Sequence, residues 1–288
     1  MVPLDKEPTR LSMKHRIALH FRSDNPNPLA WEKKIRTWIA QNYPETEFVK
    51  SRPRTVIVLG GDGTILEAAR KYQATSPLLF GLNLGHVGFL ASAREPKRFL
   101  PALACYFAHD YHVVKRMLVH ATVERSGKQI FEMRALNEIA VKSMLGMVEL
   151  DVTIDGYRVQ RIRGGGVMVA TATGSTAYNL SAHGPVVMPD IKCMVLTEIM
   201  DHNVPTPSIV VKRNRSITIT VKEFRERGLL ITPDGASADV VVSADGESIF
   251  PLHRGDLVRI RPAAKMIRIA EFEKDYFFKS LQEKFSFS

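Results

Sequence analysis

The run Thr55-Val-Ile-Val-Leu59, rich in β-branched residues, leads directly into Gly60-Gly61-Asp62-Gly63-Thr64. Such a run suits a strand buried on both faces of a parallel sheet. Beyond the glycines, residues Ile65 to Tyr72 carry apolar side chains at helical spacing, and Leu78 to Leu82 reads as a second strand. Strand, turn, helix and strand at this spacing make a βαβ unit. Upstream, Arg16 to Phe21 forms a further short strand, followed by a helical pattern at Trp31, Ile35, Trp38 and Ile39. The expected N-terminal fold is therefore a Rossmann-like α/β domain with a parallel sheet.

The pattern changes after about Arg116. Residues Leu118 to Glu124, Glu149 to Ile154, Ser216 to Val221, Asp239 to Ser243 and Asp256 to Arg261 read as alternating runs. Ser126-Gly127, Asp155-Gly156 and Asp245-Gly246 separate them as hairpin turns. This predicts an antiparallel all-β domain. Residues 1–115 are assigned to the α/β domain, 116–267 to the β domain, and 268–288 to a tail. The tail holds Phe272, Tyr276, Phe277, Phe278, Phe285 and Phe287, and such aromatic density predicts that it packs back on the N-terminal domain.

Bulk properties narrow the function classes. The chain has 288 residues, 45% of them hydrophobic, enough for one large core or two ordinary ones. Cys105 and Cys193 are the only cysteines, so neither a disulfide framework nor a zinc-spaced set is present. The N-terminus lacks the basic and apolar regions of a secretory signal, and no apolar run reaches the roughly 20 residues that span a bilayer. The expectation is a cytoplasmic chain with no membrane partner. The formal net charge of +10 favours anions, but basic residues such as Lys212, Arg213 and Arg215 lie in scattered short groups. No nucleic-acid motif accompanies them, and no nucleic-acid partner is expected.

Three glycines in residues 60–64, at a strand-to-helix junction, let a ligand approach the backbone and leave amides for a phosphate. A bland turn has no use for Asp62 there, whereas phosphoryl transfer could use it to orient a hydroxyl or accept its proton. The alternative is structural: Thr64 and Glu67 have capping-box spacing, and Asp62 could simply favour the helix N-terminus. That position predicts a depressed pKa and a weak base. The segment is neither a Walker A loop nor GxGxxG.

A second glycine-rich loop, Gly81 to Leu90, lies at the same carboxyl edge of the sheet, where open α/β folds bind ligands. Asn137 and Glu138 interrupt an apolar, strand-like run and would need partners if buried. In residues 171–185, hydroxyls at Ser175, Thr176, Tyr178 and Ser181 crowd the start of a short helix that Ser175 could cap. A cap needs one of them, and a polar pocket for a sugar and nicotinamide would use several, with Tyr178 stacking.

Together these segments resemble the NAD kinase family. Residues 60–64 resemble its glycine-rich motif, Asn83 to Leu90 its Asn-x-Gly-x-x-Gly-Phe-Leu segment, and Asn137-Glu138 its Asn-Glu motif. Residues 173–185, Thr-Gly-Ser-Thr-Ala-Tyr-Asn-Leu-Ser-Ala-His-Gly-Pro, resemble its most distinctive motif. The glycine motif alone is shared with lipid kinases, which is the rival enzyme reading; a non-catalytic NAD(P) sensor is the rival from another class. The resemblance implies an active site between the two domains, where the ribose 2′-hydroxyl of NAD is phosphorylated to give NADP. ATP or another phosphoryl donor would come with magnesium or another divalent metal, and no metal site made of protein ligands is expected. It further implies a homodimer or homotetramer. Asp62 would be the catalytic carboxylate, with Gly60, Gly61, Gly63 and Thr64 the phosphate loop. Phe89, Asn137, Glu138, Thr176, Ala177, Tyr178 and Ser181 would contact NAD, and Asp245 matches a further family position.

The chain departs from the family at three places. Arg163-Gly164-Gly165-Gly166 stands where Arg-Gly-Asp-Gly is usual, Ala172 where proline is usual, and His183 where glycine is usual. These changes bear on affinity and on the choice between NAD and NADH more than on reaction type.

Overall fold

The computed structural model describes residues 15–22, 26–85, 88–201, 206–228, 230–232, 235, 237–273 and 275–285. His86, Val87 and Phe287 lie outside them. The first half alternates strand and helix: β1 (Arg16–Phe21), α1 (Pro26–Asn42), β2 (Glu47–Phe48), β3 (Thr55–Leu59), α2 (Asp62–Tyr72), β4 (Leu78–Leu82), α3 (Phe99–Phe107) and β5 (His112–Arg116). β1 pairs parallel with β2 and β3, and β3 parallel with β4. Every residue of β3 and β4 is buried, because helices cover both faces of the sheet.

A second, antiparallel sheet follows. Its strands are β6 (Val119–Arg125), β7 (Lys128–Ala135), β8 (Glu138–Ser143), β9 (Val148–Ile154) and β10 (Tyr157–Thr171). After the short helix α4 (Tyr178–Ser181) come β11 (Cys193–Asp201), β12 (Ile209–Lys212), β13 (Ile217–Phe224), β14 (Val240–Ala244), β15 (Ser248–Pro251) and β16 (Leu257–Pro262). The order is β15-β14-β8-β10-β9-β13-β16-β6-β7, with β11 and β12 branching from β10. β10 is long enough for its first half to pair with β9 and its second half with both β8 and β11. The hairpin turns at Ser126-Gly127, Asp155-Gly156 and Asp245-Gly246 all carry two successive positive φ values, the backbone that joins twisted strands tightly. β14 departs from the expected alternation: all five of its residues are buried.

The chain then returns. β17 (Ile267–Glu271) enters the first sheet between β4, which it meets in parallel, and β5, which it meets antiparallel. A last helix, α5 (Tyr276–Phe285), follows. Phe272 packs against Phe80 and Tyr111, Tyr276 is buried, and Phe277 meets Phe89, but Phe278 stays 57% exposed. The two sheets share an apolar cluster in which Ile65, Ala68, Leu79 and Leu90 pack with Leu118 and Leu136. Across the same junction Glu247 pairs with Arg22 and Arg70. No helix among the described residues is long and apolar enough to cross a membrane.

The return strand makes a prediction. Ile267, Ile269 and Ala270 are all at most 4% exposed, and without them β4 and β5 lose their common neighbour. A chain ending at Pro262 is expected to lose on the order of 5 kcal/mol or more. A thermal melt followed by circular dichroism should show no cooperative transition from the first sheet. An unchanged Tm would refute this.

Candidate active site

The residues 60–64 turn is built as a strand-to-helix junction. α2 starts at Asp62 with Gly61 as its N-cap, and no side chain caps it. The Thr64–Glu67 capping box expected from spacing is therefore absent. Thr64 is buried against Gly60, and Glu67 faces His20 at 3.3 Å and Arg22 at 3.1 Å. The Gly60 amide is also not free for a ligand, since it donates to the Leu82 carbonyl at 3.0 Å. The amides of Gly61, Asp62 and Gly63 have no hydrogen bond among the described residues. Three adjacent amides at a helix start are what an anionic group can use.

Asp62 projects from this turn towards the Gly88–Leu90 loop. Its Oδ2 accepts the Phe89 amide at 2.8 Å and its Oδ1 the Leu90 amide at 3.2 Å. The fit requires Gly88, because a Cβ there would stand 2.2 Å from Asp62 Oδ1. The depressed pKa expected at a helix N-terminus is reversed. Burial, the largest influence, raises it, and the two amides, Lys284 and Arg116 oppose without cancelling it. A carboxylate raised in this way is a better proton acceptor than its place on the helix implied.

Across the domain junction lies a bend. Asn137 and Glu138 do not interrupt a strand, as their sequence context suggested: β7 ends at Ala135, β8 begins at Glu138, and Leu136 and Asn137 turn the corner. Asp245 holds that corner. It occupies the first position of its hairpin turn, and its carboxylate accepts the amides of Leu136 (3.0 Å), Asn137 (2.7 Å) and Glu138 (3.3 Å). The hairpin reading of Asp245 was thus incomplete. Glu138 is 6% exposed and its Oε2 has no partner. Burial first, and then the nearby Asp245, push its pKa up to about 8.

The 171–185 segment packs on the same bend. Gly174 approaches so closely that a Cβ would stand 2.1 Å from the Asn137 carbonyl oxygen. Ser175 does not cap α4. Its hydroxyl donates to the Ala172 carbonyl at 2.7 Å and accepts the Val187 amide at 2.9 Å. Thr176 donates to the Thr173 carbonyl at 3.3 Å. Two of the four hydroxyls thus tie the segment to itself. Ala177 and Tyr178 are half-buried, Ser181 is exposed, and the Lys142 ammonium lies 5.7 Å from the Tyr178 ring centre. Phe89, Arg116, Thr173, Thr176 and Phe277 line one small cavity, which joins the first sheet, the 171–176 turn and α5.

Arg163 stands elsewhere, on a separate cavity with Leu145, Met147 and Arg225. At the departure Gly165, a Cβ would lie 2.9 Å from the Ile199 carbonyl oxygen, so an aspartate would not fit without a backbone shift. His183 takes φ 60°, the conformation that makes glycine favourable just past a helix end. The sequence reading missed Arg116, Lys142, Phe277 and Lys284. Each is far in sequence from the motif residue it faces, and none carries a local signal.

Glu138 makes stability depend on pH. It is neutral in both states below about 4.5. Above that the unfolded chain loses the proton while the folded one keeps it, so stability falls as pH rises towards about 8. Glu138→Gln should leave Tm nearly unchanged at pH 5 and raise stability by roughly 2–4 kcal/mol at pH 8. Equal effects at both values would show that Glu138 is not held neutral.

Comparison with known proteins gives a consistent result. Residues 9–111 match the ATP-NAD kinase N-terminal domain and residues 136–271 the ATP-NAD kinase C-terminal domain. The NAD kinase of Symbiobacterium thermophilum is 37% identical over 233 residues, covering 80% of this chain and 78% of that protein. The NAD kinase of Geobacter metallireducens is 34% identical over 224 residues, covering 77% and 75%. Among solved structures, an NAD kinase from Archaeoglobus fulgidus in complex with ATP superposes with a TM-score of 0.73 at 27% identity, covering 95% of this chain and 100% of that one. Yeast NADH kinase complexed with NADH superposes with a TM-score of 0.85 at 20% identity, covering 96% and 88%, a likeness of fold. With both domain families matched in order and relatives above 30% identity over most of its length, the chain belongs to the NAD kinase family.

Proposed function

We propose that this chain phosphorylates the adenosine ribose 2′-hydroxyl of NAD, using ATP or another phosphoryl donor, and releases NADP. The observation that carries the reading is the Asp62 carboxylate, raised in pKa by burial and set beside three unpaired amides at the start of α2. The hydroxyl oxygen attacks the γ-phosphorus in line, the bond to the leaving diphosphate oxygen breaks, and the hydroxyl proton passes to Asp62. The amides of Gly61, Asp62 and Gly63 offset the charge that builds on the transferred group. Gly60 and Thr64 shape the turn. Asn137 and Glu138, held by Asp245, face the sugar and base, and the open Oε2 of Glu138 suits a ribose hydroxyl. Phe89 and Tyr178 offer aromatic faces, and Thr176, Ala177 and Ser181 line the approach.

Among the described residues no group of three or more His, Cys, Asp or Glu could hold a metal ion. A divalent cation, magnesium for preference, would enter on the triphosphate, where it would neutralise phosphate charge. We also read the chain as a cytoplasmic homodimer or homotetramer. Met144, Leu145, Met147 and Met200 are each at least 39% exposed, which supports self-association, and light scattering would measure it.

The test is incubation with NAD, ATP and magnesium, with NADP detected by an NADP-specific dehydrogenase. Asp62→Asn should fold with an unchanged melt and lose kcat by on the order of 10³-fold or more. An Asp62→Asn protein with near-normal turnover would eliminate the mechanism. No NADP from wild type, with NADH and polyphosphate also tried, would favour nucleotide binding without catalysis. Gly88→Ala pushes a methyl group into the carboxylate. Its kcat should fall about 10²-fold, with a smaller change in KM for NAD. An unaffected kcat would show that the Asp62 geometry is not demanding.

A further inference from the structure

We propose that the C-terminal helix α5 is a positioning element for Asp62, acting through the single peptide group that joins Gly88 to Phe89. This rests on the kinase reading only in taking Asp62 as the reacting carboxylate. The amide of that peptide donates to Asp62 Oδ2 at 2.8 Å. Its carbonyl, on the opposite side, accepts from two hydroxyls of α5: Ser280 Oγ at 3.0 Å and Tyr276 Oη at 3.3 Å. Both donors are buried, Ser280 at 0% and Tyr276 at 3% exposure.

The direction of these bonds follows from their neighbours. Ser280 Oγ also lies 3.0 Å from the Tyr276 carbonyl, its ordinary acceptor one helical turn back. That carbonyl already accepts Arg94 Nη2 at 2.7 Å, and the same nitrogen donates to Ser280 Oγ at 2.9 Å. Arg94 thereby directs the Ser280 proton towards Gly88. The Tyr276 hydroxyl has the Gly88 carbonyl as its acceptor as well. Arg94 stacks on the Tyr276 ring at 4.4 Å and pairs with Glu283, so the hydroxyls are held in place from outside the site.

Hydrogen bonds arranged in series polarise one another. Two donors on the Gly88 carbonyl make the Phe89 amide a stronger donor to a negative oxygen. The titratable groups facing Asp62 are Lys284 and the neutral phenol of Tyr276 on α5 and Arg116 at the end of β5. Deleting only the two hydroxyls leaves Lys284, Arg116 and the apolar packing of α5 in place. Such a deletion weakens the amide bond to the carboxylate and raises the pKa of Asp62.

The test is a carboxyl-carbon NMR titration of the full chain, with the Asp62 signal assigned by its absence in Asp62→Asn. In the double variant Tyr276→Phe, Ser280→Ala the midpoint should rise by about 0.3–1 pH unit. The acid limb of kcat/KM for NAD should move by the same amount, a loss of about 2–10-fold below the limb. Gln282→Ala, exposed on the same helix, should leave both at the wild-type position. An unmoved midpoint in a folded double variant overturns the proposal, as does a pH-independent loss of kcat/KM. If the double variant does not fold, the single variants are titrated, and unmoved midpoints in both overturn it. A moved midpoint in a chain that makes no NADP supports the relay while sinking the kinase reading.

Discussion

Asp62 is a carboxylate placed where burial works against its charge, and much of the surrounding architecture limits that penalty. Two main-chain amides bind it, and Gly88 is bare so that they can come close. Had the group been fully compensated it would sit at an ordinary carboxylate pKa or below, and be inert as a base. Had it no partners it would take up a proton and lose its anionic form. The balance falls short of full compensation, which suits a group that must accept and then release a proton.

The second sheet repeats the device. Asp245 is half-buried, receives three amides, and fixes the Leu136–Glu138 bend as Asp62 fixes its contact with the Gly88–Leu90 loop. Burial first, and the presence of Asp245 second, keep Glu138 protonated near neutral pH. The two halves are then joined by unlike interactions. Leu118 and Leu136 pack into the α2 cluster, where burial contributes most of the attraction, and Glu247 reaches Arg22 and Arg70 at the surface. Exposed ion pairs of that kind contribute about 0–1 kcal/mol each, so they set the facing of the halves more than their adhesion.

Much was legible in the chain itself. A β-branched run before glycines and a helical repeat gave β3 and β4 residue for residue and the C-terminal end of α2, which begins three residues before the expected Ile65, because period and turn chemistry are local properties. Paired turn residues located the hairpins for the same reason. What misled was also local. Thr64 and Glu67 have capping spacing, yet Glu67 finds stronger partners in His20 and Arg22. Ser175 has the place of a cap, yet Ala172 and Val187 claim its hydroxyl. Asn137 and Glu138 looked like polar residues within a strand, because nothing nearby announces a bend held by a residue more than one hundred positions on.

The sequence by itself determined the two kinds of sheet, the carboxyl-edge position of Asp62 and the family motifs, since each depends on residues within a few positions of one another. Only the tertiary structure decided the state of the groups. The pKa of Asp62 rises because of burial by distant segments, and Asp245 works through amides 107–109 residues away. β17 and α5 belong beside β4 and the Gly88 loop, although about 190 residues separate them in the chain. Charge state and orientation depend on dielectric surroundings and on long-range partners, and neither exists until the chain has closed on itself.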